Sequence, residues 1–161
     1  MTVHPDYDAK AIATRRRSID LALVRLAEPL PDRLQPATLS ASTAAKDTAL
    51  TVAGWGRNRE GDIRSTGTFR AASLRAVEPY GPSTILVWAE GAANGKAAGA
   101  CEGDSGGPLT QGGPAVFAVA TWATGPKGRG CGAYTQGILL GPQRAWIDKS
   151  LGAWGRAATW E

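Results

Sequence analysis

The stretch Cys101-Glu102-Gly103-Asp104-Ser105-Gly106-Gly107-Pro108-Leu109 is the most specific part of this sequence. Ser105 supplies a hydroxyl, and the glycines around it allow the backbone to turn tightly. Such a turn can aim the N–H groups of Gly103 and Ser105 at one developing negative charge, which stabilises an oxyanion by roughly 3 to 4 kcal/mol per donor. The stretch therefore predicts a nucleophilic Ser105 beside an oxyanion hole. A glycine-rich β-turn that merely contains a serine is the alternative.

The length and composition around this stretch favour an all-β protein. The 161 residues suffice for one good-sized core or two small ones, and 21 glycines and 10 prolines supply many turns. The formal net charge of +4 is too small to suggest a nucleic-acid partner. No apolar run approaches the roughly 18 residues that span a bilayer, so we expect a soluble chain with no membrane partner.

Short apolar runs separated by turn residues predict the order of the strands. Residues 3–8 indicate a strand end and a turn, residues 18–26 a strand, and residues 29–49 a connection with a domain boundary near 35. One amphipathic helix is predicted over residues 142–153, with a proline at its start and an apolar stripe that should dock on the strands. The remaining predicted strands cover residues 50–55, 68–77, 84–90, 115–122 and 132–140.

The nonapeptide resembles the CxGDSGGP nucleophile motif of the chymotrypsin/trypsin family of serine peptidases. Residues 18–26 resemble the family's DIALL segment around the triad aspartate, and residues 53–56 its GWG strand. Thr121 and Trp122 are similar to the serine-tryptophan pair of the substrate cleft, and residues 143–147 to the C-terminal helix. The resemblance implies a double antiparallel β-barrel, with residues 1–34 as an incomplete first barrel and residues 35–161 as a complete second barrel plus the helix.

The resemblance also assigns a function and an orienting acid. It implies hydrolysis of peptide bonds in a protein or peptide substrate by a secreted or periplasmic monomer, without a metal or cofactor. Asp20 becomes the orienting carboxylate of the triad. It precedes Ser105 by 85 residues, against about 93 in the family template, and shorter loops can absorb that difference.

The triad base is missing from this assignment. His4 is the only histidine, and it lies 16 residues before Asp20 instead of about 45. It resembles the family's HPxY surface segment, so we expect a surface strand-end residue without a catalytic role. Loss of the histidine costs about a millionfold in turnover in an analogous triad. We therefore expect the chain alone to be nearly inactive.

Two hypotheses account for the missing histidine. In the first, Met1 is an internal or misassigned start, and both the histidine and a secretory signal, which the pattern of the first residues does not predict, are encoded upstream. In the second, the protein is a non-catalytic homologue, a pseudoprotease that binds proteins or peptides. Retention of Ser105, Asp20 and the GDSGGP stretch favours the first.

The resemblance further implies a disulfide between Cys101 and Cys131 that flanks the substrate pocket. The Asp104 carboxylate, which pairs with a released α-amino group in family members, is left unpaired or satisfied by another group. Small, uncharged residues should line the pocket, which disfavours a basic substrate side chain, and solvated charges are expected at Lys127 and Arg129. The predicted lining comprises Gly99, Ala100, Thr121, Trp122, Ala123 and Gly132.

Overall fold

The fold is described here from a computed structural model, which covers residues 1–14, 16–91, 98–126 and 130–161. The strands and helices of this part of the chain are short and follow one another through turns. They are β1 (Thr2–Val3), α1 (Ala11–Thr14), β2 (Ala22–Leu23), β3 (Ala49–Gly54), a 3-10 turn (Ile63–Ser65), β4 (Arg70–Val77), β5 (Leu86–Gly91), β6 (Pro108–Thr110), β7 (Val116–Thr124), β8 (Tyr134–Leu139), a second 3-10 turn (Gly141–Gln143) and α2 (Arg144–Gly152).

Six of the strands close into one antiparallel barrel in the order β3-β4-β5-β8-β7-β6. Strand β3 pairs with β4 over its whole length, from Ala49 opposite Arg75 to Gly54 opposite Arg70. The barrel closes where β3 meets β6, through only two register pairs, Thr51 with Thr110 and Val52 with Leu109. The closing strand β6 begins with Pro108 and Leu109, the last two residues of the nucleophile stretch, so the barrel fixes the end of that stretch.

The barrel interior is apolar because alternate residues of its strands point inward. Leu74, Ala89, Leu109 and Ala118 are completely buried in this core. Its other members are also nearly inaccessible: Leu50, Val52, Ala76, Val87, Ala100, Phe117, Ala120 and Leu139. Ala100, which precedes the nucleophile stretch, and Leu109, which ends it, both belong to this core.

A second apolar cluster joins the N-terminal segment to the barrel and to α2. Ile19 and Leu21 pack in it with Ile138, Leu140 and Ile147. Strands β1 and β2 pair with each other as a separate two-stranded sheet. Helix α2 therefore docks through its apolar face, as its stripe predicts, and its contacts extend to the segment that carries Asp20.

The predicted all-β fold with a closed barrel and a C-terminal helix is confirmed. Five predicted strands correspond to β3, β4, β5, β7 and β8, and the predicted helix corresponds to the 3-10 turn followed by α2. The strand predicted over residues 18–26 is wrong in extent, since only Ala22–Leu23 is extended and paired. No helix in the described part of the chain is long and apolar enough to cross a membrane.

Candidate active site

The nucleophile stretch forms a tight turn that is tied to strand β7. The amide of Asp104 donates to the carbonyl oxygen of Cys101 at 3.0 Å, and the amide of Gly107 donates to that of Asp104 at 2.9 Å. Gly106 donates to the carbonyl of Ala120 at 2.7 Å, and Ala120 donates back to Gly107 at 2.9 Å. These bonds hold Ser105 at the surface, where its side chain is exposed.

The Asp104 carboxylate is satisfied by two backbone amides. Its Oδ1 accepts a hydrogen bond from the Gly56 N–H at 2.7 Å, and its Oδ2 accepts one from the Cys101 N–H at 2.9 Å. Bonds of this kind to a charged acceptor stabilise by about 1.5 to 3 kcal/mol each. Asp104 therefore links the nucleophile turn to the end of β3.

Two backbone amides of the turn are available to a ligand. Among the described residues, neither the N–H of Gly103 nor that of Ser105 has a hydrogen-bond acceptor. Gly103 has φ +93°, a left-handed conformation that favours glycine. Unsatisfied amides on either side of Asp104 are what an oxyanion hole requires, since such donors must be free in the resting protein.

A pocket of about 240 Å³ opens beside Ser105. Ala100, Thr121, Trp122 and Ala123, all predicted from the sequence, lie in its wall with Ser105. Cys101 and Cys131 also line it, and their disulfide, with the Cα atoms 5.0 Å apart, joins two of its walls. The disulfide implied by the resemblance is confirmed. The pocket is large enough for one side chain of a bound peptide.

Comparison with known proteins gives the family. Residues 1–140 match the family model for Trypsin. The chain belongs to the trypsin family of serine proteases. Mouse Kallikrein-11 is a relative, 28% identical over an alignment of 145 residues that covers 83% of this chain and 51% of the relative. The chain spans about half the length of that relative.

Two solved structures share the fold of this trypsin-family chain. Neuropsin from mouse brain aligns with a TM-score of 0.74 and 23% identity, over 92% of this chain and 68% of that one. Human heparin binding protein aligns with a TM-score of 0.62 and 25% identity, over 78% and 54%. At these identities the likeness supports the fold, and the site has to be argued from its own geometry.

Other predicted residues of the trypsin-family site lie outside this pocket. Gly99 and Gly132 line a neighbouring cavity of about 380 Å³. Asp20 is exposed, between the buried residues Ile19 and Leu21. Lys127 and Arg129, predicted as solvated loop charges, lie outside the described residues.

Sequence reasoning missed three polar side chains around the trypsin-family pocket. Glu60 and Glu102 both line it, so the predicted uncharged lining was incomplete. The hydroxyl of Thr135, a fully buried residue, accepts a hydrogen bond from the Ala100 amide at 2.9 Å and fixes the start of the nucleophile stretch. Only the nonapeptide could have suggested Glu102, and nothing in the local pattern marks the other two.

The single histidine is a packing residue, and its predicted surface position is wrong. His4 is only 7% exposed, and its ring lies tilted against Trp146 of α2 with 4.7 Å between ring centroids. Its Nδ1 accepts a hydrogen bond from the Asp6 amide at 3.1 Å. Helix α2 therefore covers the His4 ring. The contact joins residues that are far apart in the sequence.

Replacing His4 by alanine is expected to lower the free energy of unfolding by about 1 to 2 kcal/mol, because an aromatic contact and a hydrogen bond are both lost. Urea denaturation measures the change. The control is Tyr7→Ala, since Tyr7 belongs to the same segment and its side chain is 44% exposed. Equal stability of the two variants would contradict the packing role.

Proposed function

We propose that this chain carries the nucleophile half of a serine endopeptidase that works through a Ser105 acyl-enzyme. The observation that supports this most strongly is the turn itself. It presents an exposed Ser105 hydroxyl beside a one-residue pocket, with the free amides of Gly103 and Ser105 close in the sequence. A protein that only binds needs neither the hydroxyl nor the two free donors.

The proposed reaction has two steps. The Ser105 oxygen attacks the carbonyl carbon of a peptide bond, and its proton passes to a base. The negative charge on the carbonyl oxygen is held by the amides of Gly103 and Ser105. The C–N bond then breaks, the amine leaves with the proton from the base, and water hydrolyses the resulting ester by the same route in reverse.

Asp20 is proposed to orient the base. The burial of Ile19 and Leu21 fixes the backbone on both sides of Asp20, while its own side chain remains exposed and available to a partner. A carboxylate in this role stabilises the imidazolium that forms and fixes the tautomer of the imidazole. The position of the acid is therefore set by packing.

The base itself is proposed to be an imidazole from outside residues 1–161. His4 is the only histidine of the sequence, and it is buried against Trp146. Residues 1–34 would then belong to a first barrel that is completed by the polypeptide segment carrying this imidazole. Residues 35–161 would form the second barrel with its helix. Residues 1–161 alone should hydrolyse peptides only at a residual rate.

Imidazole in solution tests this proposal on the chain as it is. A fluorophosphonate probe should label Ser105 slowly, and added imidazole should accelerate labelling about tenfold or more, because general-base catalysis contributes at least that much. Ser105→Ala should not be labelled, and Asp20→Asn should reduce the acceleration. Labelling that is no faster with imidazole than without it, in a folded chain, would overturn the proposal.

A non-catalytic binding protein is the second candidate. The observation in its favour is the commitment of His4 to packing, together with the similarity to a structure named heparin binding protein. Under this function Ser105 is not labelled with or without imidazole, while the pocket still binds peptides. The labelling experiment therefore separates the two candidates.

The disulfide supports a location outside the reducing cytosol. A bridge such as that between Cys101 and Cys131 persists in oxidising compartments. We therefore propose a secreted or periplasmic protein that acts on protein or peptide substrates as a monomer.

A further inference from the structure

The backbone on both sides of Asp20, the proposed orienting acid, is hydrogen-bonded to the turn that follows β1. On the C-terminal side of Asp20, the Leu21 carbonyl oxygen accepts a hydrogen bond from the His4 amide at 3.0 Å. On the N-terminal side, the Ile19 amide donates to the Asp6 carbonyl oxygen at 3.1 Å. The location of Asp20 therefore depends on the shape of the turn that contains His4 and Asp6.

The His4 side chain stabilises this turn. The turn begins at His4, whose carbonyl oxygen accepts a hydrogen bond from the Tyr7 amide at 3.0 Å. The His4 Nδ1 accepts a second hydrogen bond, from the Asp6 amide, at 3.1 Å. Side chains of Asn and Asp close turns in the same way, by accepting from the amide two residues later. Because Asp6 bonds to the His4 ring through its amide and to Ile19 through its carbonyl, the ring acts on the backbone beside Asp20.

The His4 ring is itself held by helix α2. It is only 7% exposed, and its centroid lies 4.7 Å from that of the Trp146 ring. Ile147 of the same helix belongs to one apolar cluster with Ile19 and Leu21. Helix α2 therefore supports both the ring and the two residues that flank the acid.

We propose that His4 is a positioning residue, which holds the Asp20 carboxylate where it can orient the imidazole that takes the proton from Ser105. This inference rests on the proposed function and deepens it. His4 does not touch the reacting atoms, and it acts through the backbone hydrogen bonds on both sides of Asp20. Removal of the Nδ1 acceptor should therefore loosen the acid while the barrel remains folded.

Two substitutions of His4 separate its acceptor from its ring. His4→Phe keeps an aromatic ring against Trp146 and removes Nδ1. His4→Asn removes the ring contact and offers an amide oxygen to the Asp6 amide. If His4 contributed only packing, Phe would be the better replacement. If His4 positions the acid, Asn is the better replacement.

The acceleration of fluorophosphonate labelling by imidazole measures how well the acid is placed. His4→Phe should reduce this acceleration about fivefold, which corresponds to the net contribution of one hydrogen bond. Labelling without imidazole should not change, because no base is then present for Asp20 to orient. His4→Asn should retain the acceleration. In a chain that already carries Asp20→Asn, adding His4→Phe should have no further effect, because His4 acts through that carboxylate.

Hydrogen exchange reports on the same segment without any catalysis. The Ile19 amide, followed by NMR, should exchange with solvent about fivefold faster in His4→Phe than in the unaltered chain or in His4→Asn. The Ala120 amide, which donates to Gly107 in the barrel, should exchange equally in all three. The matched control is Tyr7→Phe, since Tyr7 lies in the same turn and its side chain is 44% exposed. This control should behave as the unaltered chain does in both measurements.

The two measurements keep this inference separate from the proposed function. If imidazole accelerates labelling of the unaltered chain and of His4→Phe equally, the peptidase proposal stands and the role of His4 is overturned. If imidazole accelerates labelling of no chain, the peptidase proposal fails, and faster exchange of the Ile19 amide in His4→Phe still supports the hold of His4 on the Asp20 segment. Equal exchange of that amide in all the chains overturns the role of His4 in either case.

Discussion

Replacing Gly56 by alanine is expected to lower the free energy of unfolding by about 3 kcal/mol and to abolish labelling of Ser105. Gly56 is buried, and an added β-carbon would lie 2.5 Å from the Asp104 carboxylate and 2.7 Å from the Asp104 amide nitrogen. The second atom belongs to the backbone, so a side-chain rotation cannot relieve the clash. Overpacking of this kind costs about 1 to 3 kcal/mol.

The same substitution also removes an interaction that holds the turn. The Gly56 amide donates to Asp104 Oδ1, and this bond to a charged acceptor is worth about 1.5 to 3 kcal/mol. Displacing Asp104 moves the amides of Gly103 and Ser105 on either side of it. The proposed oxyanion hole should therefore be lost together with stability, because both would depend on the Asp104 carboxylate.

The matched control for this substitution is Gly113→Ala. Gly113 has no atom within 4 Å of the added β-carbon and needs no left-handed backbone. Urea denaturation gives the stability of each variant, and fluorophosphonate labelling in the presence of imidazole gives the reactivity. If Gly56→Ala behaves like Gly113→Ala in both measurements, Asp104 does not hold the Ser105 turn in place as we expect.

Loss of the disulfide between Cys101 and Cys131 should destabilise the chain by roughly 3 to 4 kcal/mol. The bridge closes a loop with a sequence separation of 30 residues, and the chain-entropy estimate for that length gives this value. The loop contains strands β6 and β7. Reduction therefore raises the conformational entropy of this long segment in the unfolded chain. The pocket should also lose its shape, since both cysteines line it.

Thermal unfolding with and without a reductant measures this effect. The double variant Cys101→Ser with Cys131→Ser should unfold at the temperature of the reduced chain, whether the reductant is present or not. This comparison separates loss of the bridge from other effects of the reductant. A chain whose unfolding temperature is unchanged by reduction, although its thiols titrate as free, contradicts the prediction.

The sequence predicts those parts of the fold that have a local pattern. Strands β3, β4, β5, β7 and β8 alternate or run apolar between turn residues, and their predicted ranges overlap the observed ones. Strand β6 has three residues and overlaps the end of the glycine-rich stretch, so no periodicity marks it. Residues 18–26 are apolar enough for a strand, yet Ile19 and Leu21 are buried against α2 and only two residues pair.

The features of the site that sequence reasoning missed depend on contacts between distant residues. His4 is buried by Trp146, which lies 142 residues later in the chain, and a local motif cannot indicate that contact. Glu60 lies in a loop with no pattern of its own, and its position beside Gly130 follows from how two loops meet. The disulfide was predictable because Cys101 begins the nine-residue motif and the sequence contains one other cysteine. The roles of Ser105 and the Gly103 amide, which rest on the same motif, stay predictions.

The short contact between β3 and β6 has a consequence for how the barrel begins to unfold. Two register pairs close the barrel there, whereas β3 and β4 share six. Local opening favours the least supported contacts of a fold. Local unfolding of the barrel should therefore begin with release of β6, which directly follows the Ser105 turn. Thermal unfolding would then begin with separation of β6 from β3, while the amide hydrogens in the rest of the barrel still exchange slowly with solvent.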